Sequence, residues 1–303
     1  MNVPAINISD RLAGAPISWG VCEVPGWGLE LPPRRVLGEM RQLGLRATEL
    51  GSDGYLPTDP AELKDLCAEY DVTMIGGFVP LVVHQPDQLE ATIAAAHRTA
   101  ALMSSAGGTV FVTSAVTDWD WGPRTDLSAA DWAFAADTLA RIDEIVAGYG
   151  MTQAIHPHLR TVVETRADIE ALLEASDVGW TFDMGHMQIG GMDPLEFIDN
   201  AFDRIRHVHL KDVVMRHALP VFVHEQSIME GVQAGMFCNL GQGDVPIADI
   251  VVALEQRGYD QWYVIEQDAA LTGAEPAAGA GPVLDVQASI DFLNSIANAT
   301  PAP

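Results

Sequence analysis

Carboxylates and imidazoles stand at the ends of several short apolar runs in this chain. Asp183 follows Trp180-Thr181-Phe182, with Gly185-His186 close behind, and Glu266 follows Trp262-Tyr263-Val264-Ile265, with Asp268 two residues on. His156-Pro157-His158 closes another run, Glu49 follows Ala47-Thr48, and His207 and His209 alternate with Val208 and Leu210 before Lys211-Asp212. One such residue carries little information. Carboxylates and imidazoles at four successive run ends, drawn to one point, make the donor set that a divalent cation requires.

Each has a competing reading. Asp183 is a ligand or a helix cap, and the ligand is favoured because a charge ending an apolar strand must find a partner. Glu266 is read in the same way. Residues two apart on a strand share a face, so His207 and His209 point to one side and Val208 and Leu210 to the other. His209 lies nearer the strand end and is the candidate ligand, whereas His207 reads as a packed, hydrogen-bonded core histidine. Lys211 should share the face of His209. Lys64 and Lys211 are the only lysines, against 14 arginines, and a lysine kept beside a cation offers a titratable amine that arginine lacks. Its competing reading is a solvated strand-end charge. Glu49 is assigned to the substrate pocket or to capping the next segment, and Trp19, with Trp27, to the pocket floor or the core.

These residues need a scaffold that gathers strand ends. Runs of four to six residues fit buried parallel strands at 15–19, 47–50, 72–76, 109–113, 152–156, 178–183, 207–210 and 261–266. Helical patterns lie between them at 33–42, 60–69, 86–105, 129–147, 166–175, 194–201 and 247–257, with a last one at 286–298. Asp59-Pro60 and Asp193-Pro194 set an N-cap before proline, and Gly44, Gly150 and Gly258 fall where helices should stop. Eight strand–helix units predict an α/β fold, a single (β/α)8 TIM barrel forming one domain over 1–303. An open doubly wound sheet is the alternative, but Trp19-Gly20-Val21-Cys22 is no dinucleotide turn. Long loops at 212–244 and 267–284 would emerge at the C-terminal face, where barrel active sites lie. The second is rich in Ala and Gly and is expected to be mobile, and the tail from 299 to 303 to fray.

The 303 residues carry 42 Asp and Glu against 16 Lys and Arg, a formal charge of −26. Such a surface disfavours nucleic acid and anionic membranes, which both need cationic groups opposite them. Hydrophobic residues at 48% supply a large core and exclude disorder as the main state. Cys22, Cys67 and Cys238 are odd in number and widely spaced, which suits a reducing compartment rather than a disulfide framework. Met1 to Gly14 shows no signal-peptide core, and no apolar run reaches membrane-spanning length. The expectation is a soluble, cytoplasmic protein with a small-molecule partner, homo-oligomerisation being left open.

With these residues placed, the chain resembles the sugar phosphate isomerase/epimerase superfamily of xylose-isomerase-like barrels, and within it the inosose dehydratase (2-keto-myo-inositol dehydratase) branch. The resemblance rests on Ala15-Pro16-Ile17-Ser18-Trp19-Gly20, Ala47-Thr48-Glu49-Leu50-Gly51 and His156-Pro157-His158. It continues through Phe182-Asp183-Met184-Gly185-His186, Arg206-His207-Val208-His209-Leu210-Lys211-Asp212, Leu240-Gly241-Gln242-Gly243-Asp244 and Val264-Ile265-Glu266-Gln267-Asp268. It implies a divalent metal, manganese first and cobalt or magnesium next, held by a Glu, Asp, His, Glu set. Asp183, His209 and Glu266 match that set. Many relatives carry the remaining Glu two residues before a histidine, a position that is His156 here. Glu164, a short loop further on, is therefore taken as the fourth ligand, with His156 in reserve and otherwise facing substrate.

The leading function is a metal-dependent dehydratase that removes water from a polyhydroxylated ketone such as inosose. The cation would polarise the ketone and hold the enolate. Lys211, its pKa depressed, or Glu266 would take the carbon-bound proton, and His158 or His186 would protonate the departing hydroxyl. A keto-sugar isomerase or epimerase on the same site is the first alternative. A non-catalytic barrel that binds a polyol or a protein partner is the second.

Overall fold

Strand–helix alternation closes into a barrel in the computed structural model, which describes residues 8–24 and 26–299. Eight parallel strands form it: β1 (Leu12–Gly14), β2 (Ala47–Glu49), β3 (Thr73–Leu81), β4 (Val110–Ala115), β5 (Thr152–Ile155), β6 (Gly179–Asp183), β7 (Ile205–Leu210) and β10 (Tyr263–Ile265). β1 pairs with both β2 and β10, so the sheet has no open edge and the doubly wound alternative falls away. Helices α1 (Pro33–Gln42), α2 (Pro60–Glu69), α3 (Leu89–Ser105), α4 (Ala129–Gly148) and α5 (Arg166–Ala175) return the chain between successive strands. A short α6 (Met184–Ile189) precedes α7 (Pro194–Ala201). Beyond β7 come the ribbon strand β8 (Asp212–Val213), α8 (Met215–Phe222), α9 (Ile228–Gln233), ribbon strand β9 (Phe237–Cys238) and α10 (Ile247–Gln256). α11 (Pro282–Ala299) closes the chain after β10. The expected tail beyond Ala299, and the first half of the Met1 to Gly14 segment, lie outside the described residues.

Capping chemistry starts several helices where the sequence puts it. Asp59 accepts from Ala61 and Glu62 N–H, and Asp193 from Leu195 and Glu196 N–H. Ser128 with Asp131 and Thr165 with Asp168 form reciprocal capping boxes at α4 and α5. Two expectations shift. The first strand is β1, not 15–19, because Pro16 brings no N–H donor and begins a 3-10 turn, Pro16–Trp19, that Gly20 closes at φ 87°. β3 runs through Gly76 and Gly77 rather than ending there. A Cβ at Gly76 would lie 2.4 Å from the Val110 carbonyl oxygen, so these glycines permit close strand approach. The stretch 267–284 is also tied down: Arg35 donates to the Pro276 and Ala277 carbonyls, and Leu29 N–H to the Leu271 carbonyl.

The barrel interior is layered by side-chain alternation. Ala13, Ala47, Ile75 and Val264 pack together below, beside a second small cluster of Val110, Val112 and Ala154. Buried apolar side chains thus fill the barrel beneath its mouth. The next inward positions, two residues on, are Glu49, His156, Asp183, His209 and Glu266. The outward positions, such as Trp180, Phe182, Val208 and Leu210, join the large core between sheet and helices. Burying each such side chain contributes about 1.5–3 kcal/mol. Among the described residues, no helix is long and apolar enough to cross a membrane.

Candidate active site

The C-terminal ends of β2, β5, β6, β7 and β10 bring five of the predicted residues into contact. His156 Nε2 lies 3.3 Å from Asp183 Oδ2, which in turn is 3.7 Å from His209 Nδ1. His209 Nδ1 also meets Glu266 Oε2. Donor atoms of His156, Asp183 and His209 all fall within 4.8 Å of one another, and all three residues are buried. On its other side, His209 Nε2 is 2.9 Å from Glu49 Oε1, an oxygen shared with His207 Nε2 at 2.7 Å. Glu49 Oε1 thus accepts from His209 Nε2 and would leave Nδ1 free for a metal, the arrangement usual behind a metal-bound imidazole. His207 is the packed, hydrogen-bonded histidine the sequence suggested. Asp183 is the helix cap of its second reading, Oδ1 accepting from His186 N–H at 2.8 Å, while Oδ2 faces the cluster.

Lys211 is fully buried behind this set. Its Nζ donates to Asp268 Oδ1 at 2.8 Å, Glu266 Oε1 at 3.1 Å and His186 Nε2 at 3.1 Å, and lies 4.7 Å from the Phe237 ring centroid. A Cβ on Gly185 would come within 2.8 Å of Lys211 Cγ, so the slot has no spare width. Burial opposes the ammonium charge, yet Asp268, Glu266 and Asp183 outweigh it and hold the Lys211 pKa above its ordinary value. The expected depression of Lys211 into a base is therefore corrected: it sits here as a cation. Burial also opposes the charge on Glu266, but His209 and Lys211 pull its pKa down to about 2. Asp268 moves the other way, to about 6, because burial exceeds the help from Lys211. Burial, His156 and Lys211 push His158 down to about 3, and burial with His158 and Lys211 lowers His186 as well. Neither imidazole carries the extra proton that was expected of it near neutrality.

The cluster fits a divalent cation on its own chemistry. His209 Nδ1 and Glu266 Oε2 are buried and lack a hydrogen-bond partner, although they face each other. Among the described residues, Asp183, Glu266 and Asp268 share the single ammonium of Lys211, and Glu49 faces only the imidazoles of His207 and His209. Buried charge of one sign needs a counter-charge. His156, Asp183, His209 and Glu266 supply the donors.

Glu164 is not brought into this cluster. Its Oε1 accepts from Arg160 N–H at 2.9 Å, and its Oε2 lies 3.2 Å from Arg124 Nε. Arg124 also grips Asp168 with two 2.8 Å bonds. Glu164→Gln is expected to keep cation content within about twofold of wild type, whereas His156→Ala lowers affinity by about tenfold or more. Equilibrium dialysis with Mn2+ checks both. Trp19 is likewise absent from the site: its indole donates to Glu39 Oε2 at 2.8 Å in the core, where the 3-10 turn aims it.

A cleft opens above, with Glu49, His158, Glu266 and Asp268 on its polar side and Ile17, Trp27, Phe78, Trp121 and Ile228 among its apolar walls. His158 Nδ1 is 2.8 Å from the Leu159 carbonyl, so Nδ1 carries the proton and Nε2 a lone pair. Asp268, Trp121 and Ile228 were not picked out from sequence. Asp268 carried a signal, since it stands two residues from Glu266. Trp121 sits in an irregular loop at φ 57°, a placement no periodicity announces.

Residues 37–296 match the family described as xylose isomerase-like TIM barrel. The chain belongs to that family. Among its relatives, inosose dehydratase of Geobacillus kaustophilus (strain HTA426) is 30% identical over 280 residues, covering 88% of this chain and 90% of that protein. The rhizopine catabolism protein MocC of Rhizobium meliloti is 30% identical over 282 residues, 89% of this chain and 85% of its own. Among solved structures, the IolI protein with a bound zinc atom superposes with a TM-score of 0.70 at 14% identity, over 97% of this chain and 100% of that one. The probable 3-DHS dehydratase AsbF of Bacillus anthracis gives 0.70 at 17% identity, over 94% and 98%. These two structures share the xylose isomerase-like fold with the chain.

Proposed function

We propose that the protein is a metal-dependent dehydratase, a carbon–oxygen lyase, acting on a polyhydroxylated ketone such as inosose. The observation that carries this reading is the convergence of His156, Asp183, His209 and Glu266 beneath a cleft with both polar and apolar walls. Similarity to inosose dehydratases over most of the chain supports the substrate class. Two imidazoles and two carboxylates form a mixed nitrogen–oxygen set, which favours manganese or cobalt over magnesium. When bound, such a cation supplies Lewis-acid polarisation of a ketone oxygen.

The chain's own groups do the rest. His158 presents its unprotonated Nε2 to the cleft and accepts the proton from the carbon beside the ketone. Asp268, poised at about 6, gives a proton to the hydroxyl that leaves from the next carbon as water. Lys211 Nζ, bonded to Asp268 Oδ1, stays protonated and holds the carboxyl in place, and once product leaves His158 gives its proton to solvent while Asp268 takes one back. Trp27, Phe78 and Trp121 exclude water and receive the C–H face of the ring.

Incubating Mn2+-loaded protein with inosose should give a product lighter by one water, with the absorbance of an α,β-unsaturated ketone. Solvent deuterium uptake without loss of water would replace this reading with an isomerase or epimerase. A purified protein that takes up no divalent metal would remove the catalytic reading altogether.

A further inference from the structure

Asp212 is buried next to Lys211, but its carboxylate turns away from the cleft. It collects four backbone N–H groups: Val213 at 2.8 Å and Val245 at 3.2 Å on Oδ1, and Gly241 at 2.8 Å and Gly243 at 2.9 Å on Oδ2. A buried carboxylate so surrounded makes strong, charge-assisted bonds. The glycines are what let the backbone wrap it. A Cβ on Gly243 would lie 2.2 Å from Asp212 Oδ1 and 2.6 Å from the Val213 carbonyl oxygen, and Gly241 stands at φ 83° against Phe292. This explains the Leu240-Gly241-Gln242-Gly243-Asp244 motif, for which the chemistry above has no use.

Everything between the two sides of this carboxylate is one folded excursion. α8 and α9 pack so closely that a Cβ on Gly231 would meet Val221 Cγ2 at 2.4 Å, and the β8–β9 ribbon closes its base. The excursion carries two residues to the site. Phe237 lies over Lys211 Nζ and edge-on to His186 at 5.6 Å, and Ile228 forms part of the cleft wall.

We propose that Asp212 is a positioning residue, a latch that pins the neck of segment 214–237 and thereby holds Ile228 and Phe237 over the reaction cleft. The effect on turnover rests on the dehydratase reading; the latch itself does not. In Asp212→Asn the amide can accept from one pair of N–H groups but turns a donor towards the other pair.

The test is amide hydrogen exchange on the full-length variant, together with kcat and KM for inosose. Exchange in 214–237 should accelerate by about tenfold or more while the barrel strands keep wild-type protection. KM should rise about tenfold with kcat changed less than threefold and Mn2+ content unaltered. Gly243→Ala, which drives a methyl group into the same carboxylate, should reproduce the pattern if Asp212→Asn does not fold. Wild-type protection of 214–237 in a folded variant, or acceleration spread evenly over the barrel, overturns the latch. So does a lowered melting temperature with KM unchanged, because that is what a purely structural residue gives. If wild-type protein does not turn over inosose, the functional reading fails, while the exchange result still decides the latch.

Discussion

Asp183→Asn is expected to give a folded protein with α6 intact, no stoichiometric divalent cation, and turnover lowered by about a thousandfold or more. The asymmetry follows from the two oxygens of one carboxylate. Oδ1 caps α6 through His186 N–H, a bond an amide oxygen can still accept. Oδ2 faces His156 Nε2, His209 Nδ1 and Lys211 Nζ, and there the variant presents either a donor NH2 or an uncharged oxygen. Loss of one negative charge removes the electrostatic reason for a cation to remain, and its Lewis-acid contribution goes with it. About 4 kcal/mol of lost transition-state stabilisation corresponds to about a thousandfold in rate. Metal analysis and circular dichroism on the same preparation separate the two oxygens' roles. If Asp183→Asn retains one cation per chain, the proposed ligand set is wrong.

What could be read from the sequence follows the range of each interaction. The barrel was legible because its strands and helices are fixed by local periodicity and by caps such as Asp59 and Asp193. The inward face was legible too, since alternation alone places His207 with His209 and both opposite Val208 and Leu210. Three features were not. β1 begins and ends earlier than its apolar content suggests, because a proline at residue 16 changes the hydrogen bonding just where hydrophobicity peaks. The helices inside 212–244 are 8 and 6 residues long, and α8 carries Pro220 within it. Helices this short form only through tertiary packing, so their sequence carries little periodic signal.

The third was the fourth member of the candidate donor cluster. Glu164 is the right residue type at a plausible loop distance, but Arg124, 40 positions earlier in the chain, claims it. No spacing rule reveals an ion pair of that kind. His156, already on the strand-five end, needed no loop to fold back and stands beside Asp183. The charge state of Lys211 was hidden for a related reason. Its neighbours Glu266 and Asp268 come from a strand 55 and 57 residues away, and only their joint approach decides whether the amine keeps its proton.

That environment sets the last expected result. Lys211→Met should retain fold and cation while turnover falls by about a hundredfold or more, the scale of one positioned proton-transfer group. Methionine occupies the slot of the lysine stem against Gly185 and Phe237 but gives Asp268 neither a hydrogen bond nor a positive charge. Removing the ammonium also raises the Asp268 pKa further above the about 6 it has beside Lys211. The sign follows: a carboxyl whose folded pKa exceeds its unfolded value favours the folded state most below the unfolded pKa, and that contribution is lost as pH rises through the folded one. Lys211→Met should therefore lose melting temperature relative to wild type as pH rises above about 6, where wild-type Asp268 ionises and the variant's does not. Lys211→Arg discriminates between charge and geometry. It keeps the positive charge, but a guanidinium is wider than an ammonium held at 2.8 Å and 3.1 Å from two carboxylates and cannot place its donors in the same slot. Arg should thus fail nearly as badly as Met in kcat. An arginine variant that keeps most of its turnover would show that only the charge of Lys211 matters, and would take its exact placement of the Asp268 carboxyl out of the mechanism.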